Sequence, residues 1–159
     1  KIVGFETVRG DWSLLAREVQ DTLLHLILKE GDKQQAADYV KQIVQDVREN
    51  KVPLAKMVIK RQLKKDIESY ESIGPHVAVA KKMKEKGEEV QTGSMISFII
   101  CAGEGKISEK ARSPKECKNY DIEYYINNQL LPVVERILEA LGYPIKTLLD
   151  EKQSTVGDF

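Results

Sequence analysis

The sequence predicts a mainly α member of the α+β class. Three observations carry that prediction. Residues 12–30 and 32–50 each place apolar side chains at helical spacing, joined by a connection too short for anything but a helical hairpin. Residues 122–141 form a third long amphipathic stretch, so a pair of C-terminal helices is expected. Between these helical blocks lie two short β-rich runs, enough for a small β-hairpin.

Taken in order, residues 1–8 alternate apolar and polar side chains and read as a strand broken at Gly10. Asp11 is the expected N-cap of the first helix, whose stripe is Leu14, Leu15, Val19, Leu23, Leu26 and Ile27. Gly31 suits the position just past its end. Asp32 with Gln35 three residues on opens the second helix, striped by Ala36, Ala37, Val40, Ile43, Val44 and Val47. Pro53 restarts the chain, and Met57, Ile59 and Leu63 suggest a brief extended segment. Gly74-Pro75 marks a turn and a helix start with proline at the first helical position; Gly87 closes that helix. Residues 95–102 read as a strand, Gly103-Glu104-Gly105 as a turn, and residues 106–112 as the returning strand. Asp121 caps the last long stretch, in which Pro132 requires a kink or two consecutive helices. Pro144 opens a short final helix, and residues 151–159 form a tail.

With 42% hydrophobic residues the chain can build a core, and no apolar run approaches a membrane span. The two cysteines, Cys101 and Cys117, match neither a metal spacing nor a disulfide framework, so free thiols in a reducing cytoplasm are expected.

The formal net charge is zero, but the charge is not evenly spread. Residues 51–86 hold 10 basic and 4 acidic side chains, against 7 and 9 in residues 1–50 and 8 and 12 in residues 87–159. By charge alone such a run is more often a solvated face than a binding surface. The helix start at Gly74-Pro75-His76 adds free backbone N–H groups and a positive dipole end within the run. Lys60, Arg61, Lys64 and Lys65 precede it, and Lys81 and Lys82 follow. That combination suits a phosphate backbone held without reading sequence. Tyr70 is the lone aromatic nearby, which favours duplex over stacked single strand.

No catalytic constellation survives inspection. His25 and His76 lie far apart in sequence, no Cys–His–acid pattern is evident, and Gly103-x-Gly105 lacks the setting of a phosphate loop. Glu88-Glu89 reads as solvated charge, and no strand carries paired aspartates for two metals.

Three long motifs in register then identify a resemblance. FETVRGDW at 5–12, IGPHVAVAKK at 73–82 and DIEYYINNQLLP at 121–132, continued by VVERILEALGY, resemble the C-terminal thumb region of archaeal family B DNA polymerases. The resemblance covers nearly the whole chain. It implies a strand leaving the palm over residues 1–10, a thumb domain over 11–150 and a tail over 151–159. It also implies a role in wrapping duplex primer–template behind the active site and supporting processivity.

Carried over residue by residue, the resemblance implies DNA contacts from Arg9, Gln62, Lys64, Lys65, Gly74, His76, Lys81, Lys82, Lys110, Asn128 and Arg136. Lys64 stands where the family usually has threonine, and Lys110 where relatives have arginine. The family's metal-binding aspartates, nucleotide-binding lysine helix and exonuclease carboxylates all belong upstream of Lys1. No cofactor is therefore expected in this chain, Mg2+ belonging to the catalytic palm, and the chain alone is expected to be inactive. Either a piece of a longer chain or the small chain of a split polymerase fits, in an archaeal cytoplasm.

The tail places Gln153, Val156 and Phe159 at the order glutamine, aliphatic at +3, aromatic at +6. It resembles the peptide by which replication proteins dock on a sliding clamp (PCNA), an apolar pair filling a pocket beside a polar contact. The expected partners are duplex primer–template DNA, a catalytic chain or palm domain, and the clamp, with no membrane. The alternative reading is a non-catalytic interaction subunit that docks on the catalytic chain and recruits the clamp.

Overall fold

A computed structural model describes residues 12–140. The expected strand at 1–8, the short helix after Pro144 and the tail lie outside the described residues. Helix α1 (Leu14–Leu24) runs on through a wider turn, His25–Lys29, in which Glu30 N–H reaches His25 O five residues back. Its cap is Ser13, whose hydroxyl accepts from the Ala16 amide at 3.1 Å; the sequence pointed to Asp11. Asp32 caps α2 (Lys33–Arg48) through the Gln35 amide at 2.9 Å, and Gly31 before it takes φ +64, as the sequence indicated.

A single helical turn, Leu54–Met57, takes up Met57 before strand β1 (Ile59–Gln62). Helix α3 (Pro75–Glu85) follows, then strand β2 (Met95–Ile100). The sequence points to a strand over residues 106–112, but only Ala111–Arg112 (β3) is extended. Ile107–Lys110 closes one helical turn, α4, because Glu109 and Lys110 amides both reach Lys106 O. The sheet is antiparallel in the order β1-β2-β3, with Ile59 opposite Phe98 and Ile100 opposite Ala111. β2 is thus central, and its longer partner is the distant β1 rather than the hairpin return.

The last long stretch is α5 (Ile122–Tyr124), a wide turn Tyr125–Leu130 and α6 (Leu131–Ala140). Pro132 explains the wide turn. Its ring cannot tolerate the usual carbonyl four residues back, so the preceding bonds reach five residues, Leu131 N–H to Ile126 O. This chain of helices packs along α1, whose main helical neighbour is α6.

One hydrophobic core spans both blocks, from Trp12 and Leu15 through Met57, Val77 and Ile99 to Ile137. Buried polar groups fasten it. Gln129 Oε1 accepts the Ser13 amide at 2.8 Å, joining the start of α1 to the wide turn. Tyr125 is fully buried; its hydroxyl donates to Met57 O at 2.7 Å and accepts the Ile100 amide at 3.1 Å. Burial pushes its pKa far above the ordinary phenol value. Tyr120 Oη donates to Val47 O at 2.8 Å, tying α2 to the same cluster.

The cysteines correct the expectation of free thiols: Cys101 and Cys117 are joined as a disulfide, with Cα atoms 6.0 Å apart. Spacing in sequence hid this. The chain returns beside β2, where Ala102 N–H meets Asn119 O at 2.8 Å and Cys101 bridges Tyr120, so residue 117 is brought back to the strand's end.

Candidate nucleic-acid interface

The α3 N-terminus is built by sequence features that act locally. Gly74 is the N-cap and Pro75 the first helical residue, so no side chain caps the helix. Among the described residues the first turn's amides at His76 and Val77 have no hydrogen-bond partner, the earliest intrahelical bond being Ala78 N–H to Gly74 O. His76, Val77, Val79 and Ala80 are buried against the sheet, which leaves Pro75, Ala78, Lys81, Lys82 and Glu85 along the other face. That face starts with small residues and ends in two cations. A bulky polyanion can therefore lie close to the helix backbone before meeting Lys81 and Lys82.

His76 is 6% exposed, and its Nδ1 is buried without a hydrogen-bond partner. Burial, and then the nearby Arg61 guanidinium, hold its pKa below the ordinary 6.5, so the ring is neutral at pH 7. Its ring meets Tyr70 edge-on. Tyr70 in turn holds the basic loop: its hydroxyl accepts the Lys64 amide at 3.0 Å, and Lys65 Nζ lies 4.9 Å from its ring centroid.

The lysine-rich run divides into paired and unpaired cations. Lys56 pairs with Glu18, Lys84 with Glu68 and Lys86 with Glu116. These contacts hold the carboxyls of Glu68 and Glu116 below their usual range; for Glu68 the larger cause is its own backbone amide. Lys60, Arg61, Lys64, Lys65, Lys81 and Lys82 form no ion pair among the described residues. All except the half-buried Lys82 are exposed.

Among the residues the sequence singled out, Lys64, Lys65, Gly74, His76, Lys81 and Lys82 belong to this surface. Gln62 is exposed on β1, with Nε2 donating to Gly93 O at 3.2 Å. Lys110 is held elsewhere: its side chain is only 16% exposed, and its ammonium engages Asp121, the N-cap of α5. Asn128 is exposed on the wide turn and Arg136 half-buried on α6. Arg9, Gln153, Val156 and Phe159 lie outside the described residues.

Two residues of the surface, Tyr70 and Arg61, are absent from the contacts that the family resemblance implies. Tyr70 bridges Lys65 and His76. Arg61 falls between buried Ile59 and buried Leu63 at alternate strand positions, a pattern that points an arginine toward the sheet face that packs on α3. That alternation was available in the sequence.

An open cleft of about 380 Å³, lined by Arg48, Gly103, Tyr120, Asp121 and Glu123 among others, contains none of the sequence-predicted site residues. No group of three His, Cys, Asp or Glu among the described residues could hold a metal. No described helix is long and apolar enough to cross a membrane.

The family model described as DNA polymerase family B matches residues 1–141. The DNA polymerase of Thermococcus aggregans is 45% identical over a 159-residue alignment that covers 97% of this chain and 9% of that protein. That of Thermococcus sp. strain 9oN-7 is 42% identical, again over 97% of this chain, and 20% of that protein is covered. The structure of the family B DNA polymerase from the hyperthermophilic archaeon Pyrobaculum calidifontis superposes with a TM-score of 0.73 at 34% identity, covering 86% of this chain and 19% of that one. The chain thus spans between about a tenth and a fifth of the length of these relatives.

Proposed function

This chain belongs to DNA polymerase family B, and from that premise we propose that it forms the thumb of a DNA-directed DNA polymerase, gripping duplex primer–template through its sugar-phosphate backbone and minor-groove side. Residues 11–150 form the thumb on this reading, residues 1–10 leave the palm and residues 151–159 reach the sliding clamp. The palm supplies the carboxylates and their Mg2+; the chain contributes grip and processivity and does not polymerise alone.

One observation carries the reading. Among the described residues the cations around the α3 N-terminus form no ion pair, while their neighbours in the same run are neutralised by carboxylates. Cations left unpaired beside uncapped helix amides suit an extended polyanion, and nothing in their arrangement reads bases.

The test is equilibrium binding of duplexes of different sequence to this chain together with the palm-bearing polypeptide. Lys81→Glu combined with Lys82→Glu weakens binding to all sequences alike, and Glu88→Lys does not. A sequence-specific footprint contradicts the proposal. If no duplex binds even with the palm-bearing polypeptide present, the chain is instead an interaction subunit that recruits the clamp.

A further inference from the structure

We infer that Arg61, His76 and the uncapped first turn of α3 form a seat for a single phosphodiester, with Arg61 the residue that fixes which phosphate of the duplex is held. The inference rests on the duplex-binding reading and adds to it a defined register point and a residue the family resemblance did not supply.

Three observations converge. The helix has no side-chain cap, and the His76 and Val77 amides have no hydrogen-bond partner among the described residues. His76 is 94% buried by its 6% exposure, and its unpartnered Nδ1 lies beside the N-cap: a Cβ built on Gly74 would sit 3.7 Å from it. Arg61 is exposed on β1, a strand that packs on α3, and forms no ion pair among the described residues; after burial, its charge is the second cause disfavouring protonation of His76. A buried polar nitrogen without a partner is costly, and an oxygen entering between Gly74 and the first turn would satisfy it.

The chemistry suits a phosphodiester. Neutral His76 offers a hydrogen bond without adding a second positive charge beside Arg61. The guanidinium can then take two phosphate oxygens with its planar fork, while backbone amides point at another. Lysine would be a point charge here and would tolerate neighbouring phosphates equally. Gly74 keeps the entrance open, and its φ of −78° is one that alanine also adopts.

The experiment is a methylphosphonate scan. Each duplex-region phosphate of a primer–template is replaced singly by the uncharged analogue, and binding is measured with this chain and the palm-bearing polypeptide. The unsubstituted protein loses about tenfold or more in affinity at one position, the scale of a charge-assisted hydrogen bond. Arg61→Gln lowers overall affinity, reduces the log–log salt slope by about 1, and makes that position indifferent to substitution. Gly74→Ala, which keeps the helix start but narrows the entrance, weakens the same position. If Arg61→Gln retains the sensitive position, or no position is sensitive, the seat does not exist while duplex binding as such stands. If the unsubstituted protein binds no duplex at all, the duplex reading falls and the seat falls with it. Arg61 is exposed, so an unchanged Tm in Arg61→Gln separates lost binding from lost fold.

Discussion

His76 meets Tyr70 edge-on, with ring centroids 5.9 Å apart and ring planes at 89°. Tyr70 thereby locks the loop bearing Lys64 and Lys65 to the start of α3, making one surface from two segments of the chain. Tyr70→Ala removes the ring and is expected to cost about 2 kcal/mol of stability and to weaken duplex binding. Tyr70→Phe keeps the edge contact and the cation–π contact and loses only the hydroxyl's bond to the Lys64 amide. Chemical denaturation and duplex titration of both variants check this ordering; equal loss from the two would show that the hydroxyl, not the ring, holds the loop.

The depressed pKa of His76 has a signed consequence. A basic group harder to protonate in the folded state takes its proton first in the unfolded chain, so stability falls as pH drops through the unfolded value near 6.5. Above that value the contribution is fully present. Urea midpoints at pH 7.5 and 5.5 should therefore separate more in the unsubstituted protein than in His76→Gln. Equal separation would place His76 in solvent.

The Cys101–Cys117 disulfide closes a loop with a sequence separation of 16. A loop of that size is worth about 3 kcal/mol in the chain-entropy account, so reduction should lower Tm by roughly 10 °C. Cys101→Ser with Cys117→Ser should show the lower Tm under both conditions. Two reactive thiols in the native, unreduced protein would contradict the bond.

Removal of residues 153–159 should abolish binding to a sliding clamp and leave duplex affinity of the assembled polymerase unchanged. The expectation follows from the pattern of Gln153, Val156 and Phe159. Isothermal titration against the clamp reads it directly, and undiminished heat would assign clamp contact to another surface.

Local rules made much of this fold legible. Asp32 with Gln35, Gly31 and Gly74-Pro75 act within a few residues of chain, and the helix boundaries they imply stand. Where tertiary contacts decide, the sequence was silent. β2 takes β1 as its longer partner across more than 30 residues, so residues 107–110 were free to coil into a turn instead of pairing. The Cys101–Cys117 bond depends on that same return of chain. In the site, a cation's availability depends on whether a carboxylate from another element reaches it. Lys110 stands where relatives have arginine yet meets Asp121, while Arg61, unmarked by any motif, forms no ion pair among the described residues.

The central claim is that these unpaired cations grip a phosphate backbone, and its most direct test is the salt dependence of duplex affinity. With the palm-bearing polypeptide present, affinity should fall linearly on a log–log plot between low and moderate salt, at about 0.9 per phosphate neutralised. Lys81→Glu with Lys82→Glu should flatten that slope by roughly 2 for every duplex sequence. An affinity that stays constant across salt, or a slope untouched by the two substitutions, would contradict the claim.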